Sequence, residues 1–201
     1  MIYLSFISVD TIAPDDYLKI RNKNLREQAA SANNIAVRRE RTASRILLED
    51  ILNRFYPKLD CDYPVRITEK GKPYIVGENV PYFSFTNKNG KIFIAVSDDS
   101  IGIDYEEKQV SLEKAISISN RFFSERECHE IKDIDSFYRC WTLKEAYAKA
   151  VNSTLPEELD KYLLENTNNF KFFETDNSTL TIYKKDIVND EILWVSECPF
   201  S

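Results

Sequence analysis

Hydrophobic and polar positions alternate along many short segments of this chain, and longer segments with helical spacing separate them. The alternating segments predict strands at 2–9, 65–68, 74–75, 82–85, 91–96, 101–106, 170–174, 180–184 and 192–195. The helical spacing predicts helices at 14–30, 36–55, 112–122 and 156–164, and one from Asp135 or Ser136 to Lys149. Ser124 and Glu127 have the spacing of a capping box, which predicts that a short helix starts there. The short connection 97–100 predicts that strands 91–96 and 101–106 form a hairpin in the middle of the protein.

The strand 101–106 and the helix that ends at Lys149 carry the candidate chemistry. Side chains alternate along a strand, so Asp104 and Glu106 project from the same face. On the helix, Glu145 and Lys149 are four residues apart and share one stripe with Trp141. If this helix faces this strand, three carboxylates and a lysine meet at one point. Such a set suits a hard divalent cation and a phosphate group.

Each half of this pattern also has an ordinary structural explanation. An Asp-x-Glu segment on a strand is usually the solvated face of a half-buried sheet, and a Glu four residues before a Lys stabilises an isolated helix by about 0.2–0.5 kcal/mol. The same choice applies to Arg38, Arg39, Arg41 and Arg45 in the helix 36–55. They form either a solvated face or a site for an acidic or phosphorylated ligand. For the arginines the sequence alone favours the solvated face. For the strand and the helix, the joint pattern and its order along the chain favour a site.

Composition and charge restrict the function classes. The 201 residues carry a net charge of −6 with a pI near 5.0, which argues against a general nucleic-acid binder. None of the four cysteines forms a C-x-x-C pair, so a zinc site is not expected. The single histidine, His129, lies in a polar segment that does not support a Ser-His-Asp or Cys-His mechanism.

The chain has no apolar run near the roughly 18 residues that a membrane helix requires. Its apolar N-terminal segment lacks a basic leader and a small-residue cleavage site, and predicts a strand rather than a signal peptide. We therefore expect a cytoplasmic protein with free thiols and no membrane partner.

Five motifs occur in a recognisable order: G-K-P at 71–73, F-x-F-T-N at 83–87, G-I-D-Y-E at 102–106, R-F-F-S-x-x-E at 121–127 and W-x-x-K-E-A-x-x-K at 141–149. From about Arg39 to Lys149 the chain resembles the 4′-phosphopantetheinyl transferases of the long, surfactin-synthetase-activating type. The resemblance implies an α+β fold of two similar halves related by a pseudo-twofold, with coenzyme A in the cleft between them. It places the N-terminal half at 1–98 and the C-terminal half at 99–201.

The resemblance also implies a reaction and roles for individual residues. The phosphopantetheine arm of coenzyme A moves to a serine of an apo carrier protein, 3′,5′-ADP leaves, and Mg²⁺ is required. The implied metal ligands are Asp104, Glu106 and Glu145. Glu145 would also accept the proton of the serine, and Lys149 would offset charge on the phosphate oxygens. The implied coenzyme contacts are Arg45, Lys72, Thr86, Asn87 and, in a lesser role, Lys144.

The chain departs from the family pattern at several positions. Thr86-Asn87 stands where the family has Ser-His, and Asn87 can donate a hydrogen bond but carries no charge. Residues 150–153 replace the usual glycines, and the family's lysines are not evident at 28–36. Two alternatives follow: a non-catalytic relative that binds coenzyme A or a carrier protein, and a Mg²⁺-dependent nuclease.

The carrier itself is not identified by the sequence. Carrier proteins are usually acidic helical bundles, so the sequence predicts a basic or apolar docking patch, which we place within 109–127. Fatty-acid, polyketide, nonribosomal-peptide and lysine biosynthesis all use such carriers. By analogy with the family we expect a monomer that does not bind nucleic acid.

Overall fold

The computed structural model describes residues 1–200 and has a mixed α+β architecture. The described chain divides into two compact units. The first contains Met1–Asp99 and Glu191–Pro199, and the second contains Ser100–Asp190 and Phe200. The halves expected at 1–98 and 99–201 stay a prediction; in the structure the segment Glu191–Pro199 groups with the first unit.

The first unit begins with a strand and two helices and continues with short strands. Its elements are β1 (Ile2–Ser8), α1 (Lys23–Ala30), α2 (Ile35–Phe55), β2 (Val65–Ile67), β3 (Pro73–Ile75), β4 (Tyr82–Lys88) and β5 (Lys91–Ser97). A last strand of the chain, Ile192–Trp194, pairs in parallel with β1. It completes a four-stranded sheet in which β5 lies antiparallel between β4 and β1. Strands β2 and β3 form a separate antiparallel pair.

The core of the first unit lies between α2 and the four-stranded sheet. The helix has apolar residues at helical spacing, and this stripe is buried: Ala43, Leu47, Leu48, Ile51 and Leu52. They belong to one hydrophobic cluster with the buried sheet residues Phe83, Ile92, Ile94 and Val96. Asn34 caps α2 by accepting from the backbone N–H groups of Ala36 and Val37.

The second unit places helices against a three-stranded antiparallel sheet. Its elements are β6 (Gly102–Glu107), α3 (Leu112–Phe122), α4 (Glu125–Glu130), α5 (Ile134–Ala150), α6 (Leu155–Glu158), β7 (Phe170–Thr175) and β8 (Ser178–Tyr183). The remaining strand of the chain, Ile192–Trp194, is therefore β9. Strand β8 is central, and α5 packs on β6 and β8. Trp141 of α5 lies against the rings of Phe123 and Phe137, as expected for a packing residue.

Helix boundaries follow capping chemistry. The Ser124 side chain accepts from the Glu127 backbone N–H and the Glu127 carboxylate accepts from the Ser124 backbone N–H, so the predicted capping box at α4 is confirmed. Helix α5 begins at Ile134 rather than at Asp135 or Ser136. The Asp133 side chain caps it by accepting from the Ser136 backbone N–H. None of the helices within residues 1–200 has the length and apolar character needed to cross a bilayer.

Two of the predicted helices are shorter in the structure than expected. The helix expected at 14–30 is a short 3₁₀ turn, Asp16–Lys19, followed by α1, because Asn22 caps a new helix by accepting from Leu25. The helix expected at 156–164 covers only Leu155–Glu158.

The hairpin expected from strands 91–96 and 101–106 is wrong. Strand β5 is paired on both edges, with β1 and with β4, so neither edge is available to the next strand. Strand β6 pairs instead with β8, about 75 residues later in the chain. The carboxylate-bearing strand therefore belongs to the sheet of the second unit.

Candidate functional site

The candidate site lies in the second unit, where α5 packs on β6. Asp104 is buried on β6, and Lys149 is half-buried in the last turn of α5. The Lys149 ammonium donates to the Asp104 Oδ1 carboxylate oxygen at 2.7 Å and to the Ile103 carbonyl oxygen at 3.0 Å. The helix and the strand thus meet as the joint sequence pattern required, and an ion pair joins them.

Glu145 lies one helical turn before Lys149 and is partly buried. Burial raises the pKa of its carboxyl group, and the charges of Asp104 and Glu106 raise this pKa further while Lys149 lowers it. The Glu145 carboxyl group therefore lies within electrostatic range of Asp104, Glu106 and Lys149. The structure therefore brings together Asp104, Glu106, Glu145 and Lys149, which the sequence proposed as one set.

The arrangement and the donor chemistry of these side chains bear on Mg²⁺ binding. Within residues 1–200, no group of three or more His, Cys, Asp or Glu side chains is preassembled to hold a metal ion. The donor chemistry still suits Mg²⁺, which usually binds one or two carboxylates together with waters and substrate phosphates rather than a complete protein cage. A cation would also offset the mutual repulsion that raises the pKa of Glu145. The residues therefore fit Mg²⁺ held jointly by the protein and a phosphate ligand.

Lys144 has a different environment from the one predicted for it. Its side chain is fully buried, and its ammonium forms a 2.9 Å ion pair with Glu127, which is also fully buried. The same ammonium donates to the carbonyl oxygens of Lys161 and Glu158. This arrangement argues against the predicted contact with a coenzyme phosphate, since no part of the ammonium reaches solvent. Lys144 joins α4, α5 and the chain after α6.

Glu127 is the partner that sequence reasoning missed. Its spacing from Ser124 predicted only a helix cap. The signal for a second role was its place in the R-F-F-S-x-x-E motif beside an apolar helix, but a capping glutamate is normally solvated, so the pattern alone did not indicate burial.

The predicted coenzyme contacts lie in the first unit. Arg45 on α2 donates to the neutral oxygens of Ser44 and Gln28, and burial together with the charge of Arg41 lowers its pKa to about 10. Lys72, just before β3, has its pKa lowered to about 8 by burial. Burial disfavours the charged form of each of these two side chains, so a bound anion would stabilise that charge.

A pocket of about 370 Å³ lies beside Lys72 and is lined by residues 72–77 and 80–83. Thr86 and Asn87 follow it on β4, with Thr86 buried and Asn87 exposed. Their predicted contacts with coenzyme A stay predictions.

Comparison with known proteins finds similar chains and one matching family model. A family model described as "4′-phosphopantetheinyl transferase superfamily" matches residues 100–196. The chain is 29% identical over 124 residues to "4′-phosphopantetheinyl transferase Sfp" of Bacillus subtilis, which covers 58% of this chain and 54% of the relative. It is 32% identical over 102 residues to a second Bacillus subtilis "4′-phosphopantetheinyl transferase", covering 48% and 44%. It is 26% identical over 158 residues to "4′-phosphopantetheinyl transferase gsp" of Aneurinibacillus migulanus, covering 72% and 65%. The chain thus spans about half the length of the first curated relatives it matches.

Proposed function

We propose that the protein transfers the 4′-phosphopantetheine arm of coenzyme A to a serine of an apo carrier protein, since residues 100–196 match the model of the 4′-phosphopantetheinyl transferase superfamily. The observation that carries the proposal is the meeting of Asp104, Glu106, Glu145 and Lys149 at the contact of β6 and α5. These side chains lie inside the segment that matches the family.

In the proposed reaction, the hydroxyl oxygen of the carrier serine forms a bond to the phosphorus that bears the pantetheine arm. The bond from this phosphorus to the bridging oxygen breaks, and 3′,5′-ADP leaves with the electron pair. Such transfers depend chiefly on positioning and on neutralisation of charge. The proton of the serine goes to the Glu145 carboxylate, directly or through a water.

Lys149 neutralises charge in this scheme. Its ammonium is held at Asp104 Oδ1 and Ile103 O, and its side chain is 30% exposed, so it is fixed but still accessible to a phosphate oxygen. The proposed ligands for Mg²⁺ are Asp104, Glu106 and Glu145. When bound, Mg²⁺ supplies Lewis-acid stabilisation of the diphosphate oxygens.

The proposal includes the finer expectations from the family. These are a pseudo-twofold relation between the halves 1–98 and 99–201, a cleft that holds coenzyme A, and coenzyme contacts from Arg45, Lys72, Thr86 and Asn87. The lowered pKa values of Arg45 and Lys72 support an anion-binding role in the first unit. A cytoplasmic location, a monomeric state and the absence of nucleic-acid and membrane partners are part of the same proposal.

The test is a loading assay followed by mass spectrometry. The purified full chain is incubated with coenzyme A, Mg²⁺ and a panel of apo carrier proteins from fatty-acid, polyketide and nonribosomal-peptide synthesis. We expect a carrier to gain about 340 Da, the mass of the transferred arm. Glu145→Gln removes the base without changing its size and should slow loading by about 100-fold or more.

Glu165→Gln is the matched control, since Glu165 is an exposed side chain of the same unit, and it should load at the wild-type rate. Coenzyme A binding without a mass gain on any carrier would indicate the non-catalytic relative. Mg²⁺-dependent degradation of DNA or RNA without carrier loading would indicate the nuclease.

A further inference from the structure

Gly102 is the point at which β6 and α5 come closest. A Cβ atom added at Gly102 would lie 2.7 Å from the backbone nitrogen of Ala150 and 2.8 Å from the carbonyl carbon of Ala146, and closer still to the Ala146 carbonyl oxygen. Real Cβ atoms essentially never approach other atoms within 3.0 Å. All three neighbours are backbone atoms of a helix, so they cannot turn aside as a flexible side chain would. Only glycine permits this approach.

The close approach is independent of backbone strain at Gly102. Gly71, Gly77 and Gly90 adopt positive φ angles, which is the common reason for a glycine, whereas Gly102 does not. Glycine is required at this position because the strand and the helix lie too close together to leave space for a Cβ atom. A glycine in a strand interior otherwise weakens the strand, so its presence here needs a reason of this kind.

Two hydrogen bonds join the elements around this point. The Ser100 hydroxyl donates to the Ala150 carbonyl oxygen, and the Lys149 ammonium donates to the Ile103 carbonyl oxygen at 3.0 Å. Gly102 lies between Ser100 and Ile103 in sequence. The backbone contact and the two hydrogen bonds all involve residues 100–103, and together they set the spacing between the strand and the helix.

This spacing governs the candidate site directly. On β6, Asp104 and Glu106 lie two and four residues after Gly102. On α5, Gly102 lies against the backbone of Ala146 and Ala150. Glu145 and Lys149 are the residues immediately before these two. A Cβ at position 102 would move the carboxylates of the strand away from the carboxylate of the helix. Metal affinity is sensitive to such shifts, since groups that only orient ligands change it by about 10- to 100-fold.

We propose that Gly102 is a positioning residue for the transfer reaction: by omitting a Cβ it sets the distance at which Asp104 and Glu106 on β6 and Glu145 on α5 act on one divalent cation. The proposal rests on the proposed function. It differs from a purely structural role, in which Gly102 would affect folding but leave the affinity for the cation unchanged in the folded protein.

The experiment measures the binding of Mn²⁺ to the full chain, by the loss of the electron paramagnetic resonance signal of free Mn²⁺, with and without coenzyme A. Competition with Mg²⁺ gives the affinity for Mg²⁺. For Gly102→Ala we expect the dissociation constant to rise about 10-fold or more. In the loading assay, the half-saturating Mg²⁺ concentration should rise by the same factor, while the KM for coenzyme A at saturating Mg²⁺ changes less than about 2-fold.

Ser100→Ala keeps the proposal falsifiable if Gly102→Ala fails to fold. This variant removes one of the two hydrogen bonds at the same contact without adding an atom. We expect a smaller rise in the Mn²⁺ dissociation constant, about 2- to 5-fold, because one hydrogen bond of ordinary strength is lost.

Two controls separate positioning from stability. Ala115→Gly removes the Cβ of a buried residue of α3 in the same unit, which lowers the stability of this helix, and it should leave the Mn²⁺ affinity unchanged, as should Gly90→Ala in the β4–β5 turn. If the wild type loads a carrier and both Gly102→Ala and Ser100→Ala bind Mn²⁺ as the wild type does, the positioning role fails and the proposed function stands. If the wild type neither loads a carrier nor binds Mn²⁺ with coenzyme A, both fail.

Discussion

At the residue scale, the charge of Lys72 depends on pH within a range that is easily studied. Burial lowers the pKa of its ammonium from 10.5 to about 8. A lysine in water stays charged throughout this range, whereas Lys72 is half neutral near pH 8. Since a bound phosphate favours the charged form, a ligand at this position would raise the pKa again.

We therefore predict that coenzyme A binding takes up protons at pH 8.5. The free protein is largely neutral at Lys72 there and becomes charged in the complex, so affinity should fall as the pH rises above about 8. Isothermal titration calorimetry in buffers of different ionisation enthalpy measures this uptake. Lys72→Arg is the matched control, because it keeps the charge at all these pH values and should bind without uptake. A heat of binding independent of the buffer would show that Lys72 does not contact the coenzyme.

At the scale of elements, the ion pair between Glu127 and Lys144 joins α4 to α5. Both side chains are fully buried, and the Glu127 carboxylate also accepts from the Ser124 hydroxyl and the Leu163 backbone N–H. A buried pair contributes little compared with a well-packed apolar pair, but removal of one partner leaves an isolated charge. The loss of one partner should therefore lower the free energy of unfolding much more than the loss of both.

We predict that Lys144→Met lowers the free energy of unfolding by about 3–5 kcal/mol, because Glu127 is left buried without its cation. The double change Lys144→Met with Glu127→Gln should recover a large part of this loss, since the remaining carboxamide still accepts at the helix cap. Denaturant unfolding of the full chain measures both values. Additive losses in the double variant would mean that the two side chains do not act as a pair.

At the scale of the whole molecule, net charge bears on partner choice. The chain carries a net charge of −6, so it would repel an acidic carrier at long range. Docking then needs a local basic and apolar surface. Helix α3 offers one: Leu112, Ile116 and Phe122 are exposed on it, beside Lys114 and Arg121. This helix lies within 109–127, where the sequence analysis places the docking patch.

We predict that Arg121→Glu raises the KM for the carrier by about 10-fold while the KM for coenzyme A stays unchanged, because a cation facing an acidic partner is reversed. Arg126→Glu is the comparison, since Arg126 is exposed but already stacks on Tyr162 and pairs with Glu130. It should change the carrier KM less. Steady-state loading kinetics measure both constants, and equal effects of the two reversals would place the docking surface elsewhere.

Much of this protein could be predicted from local patterns. Helix α2, the capping box at Ser124 and the strands near the site follow from hydrophobic spacing and capping chemistry, which act within a few residues. The four side chains of the candidate site were named from spacing and motif order for the same reason. The helix expected at 14–30 was wrong because Asn22 starts a new helix there, and its buried amide donates to Cys61 and Tyr63, about 40 residues away.

The sequence alone determined which side chains share a face of β6 and a stripe of α5, since these periods are properties of the backbone. Only the tertiary structure decided that β6 pairs with β8, that Lys144 is buried against Glu127, and that Gly102 lets α5 reach the strand. These outcomes depend on which distant segments fill each edge and cavity. Pairing partners, burial and close backbone contacts are set by the packing of the whole unit, which no local pattern records.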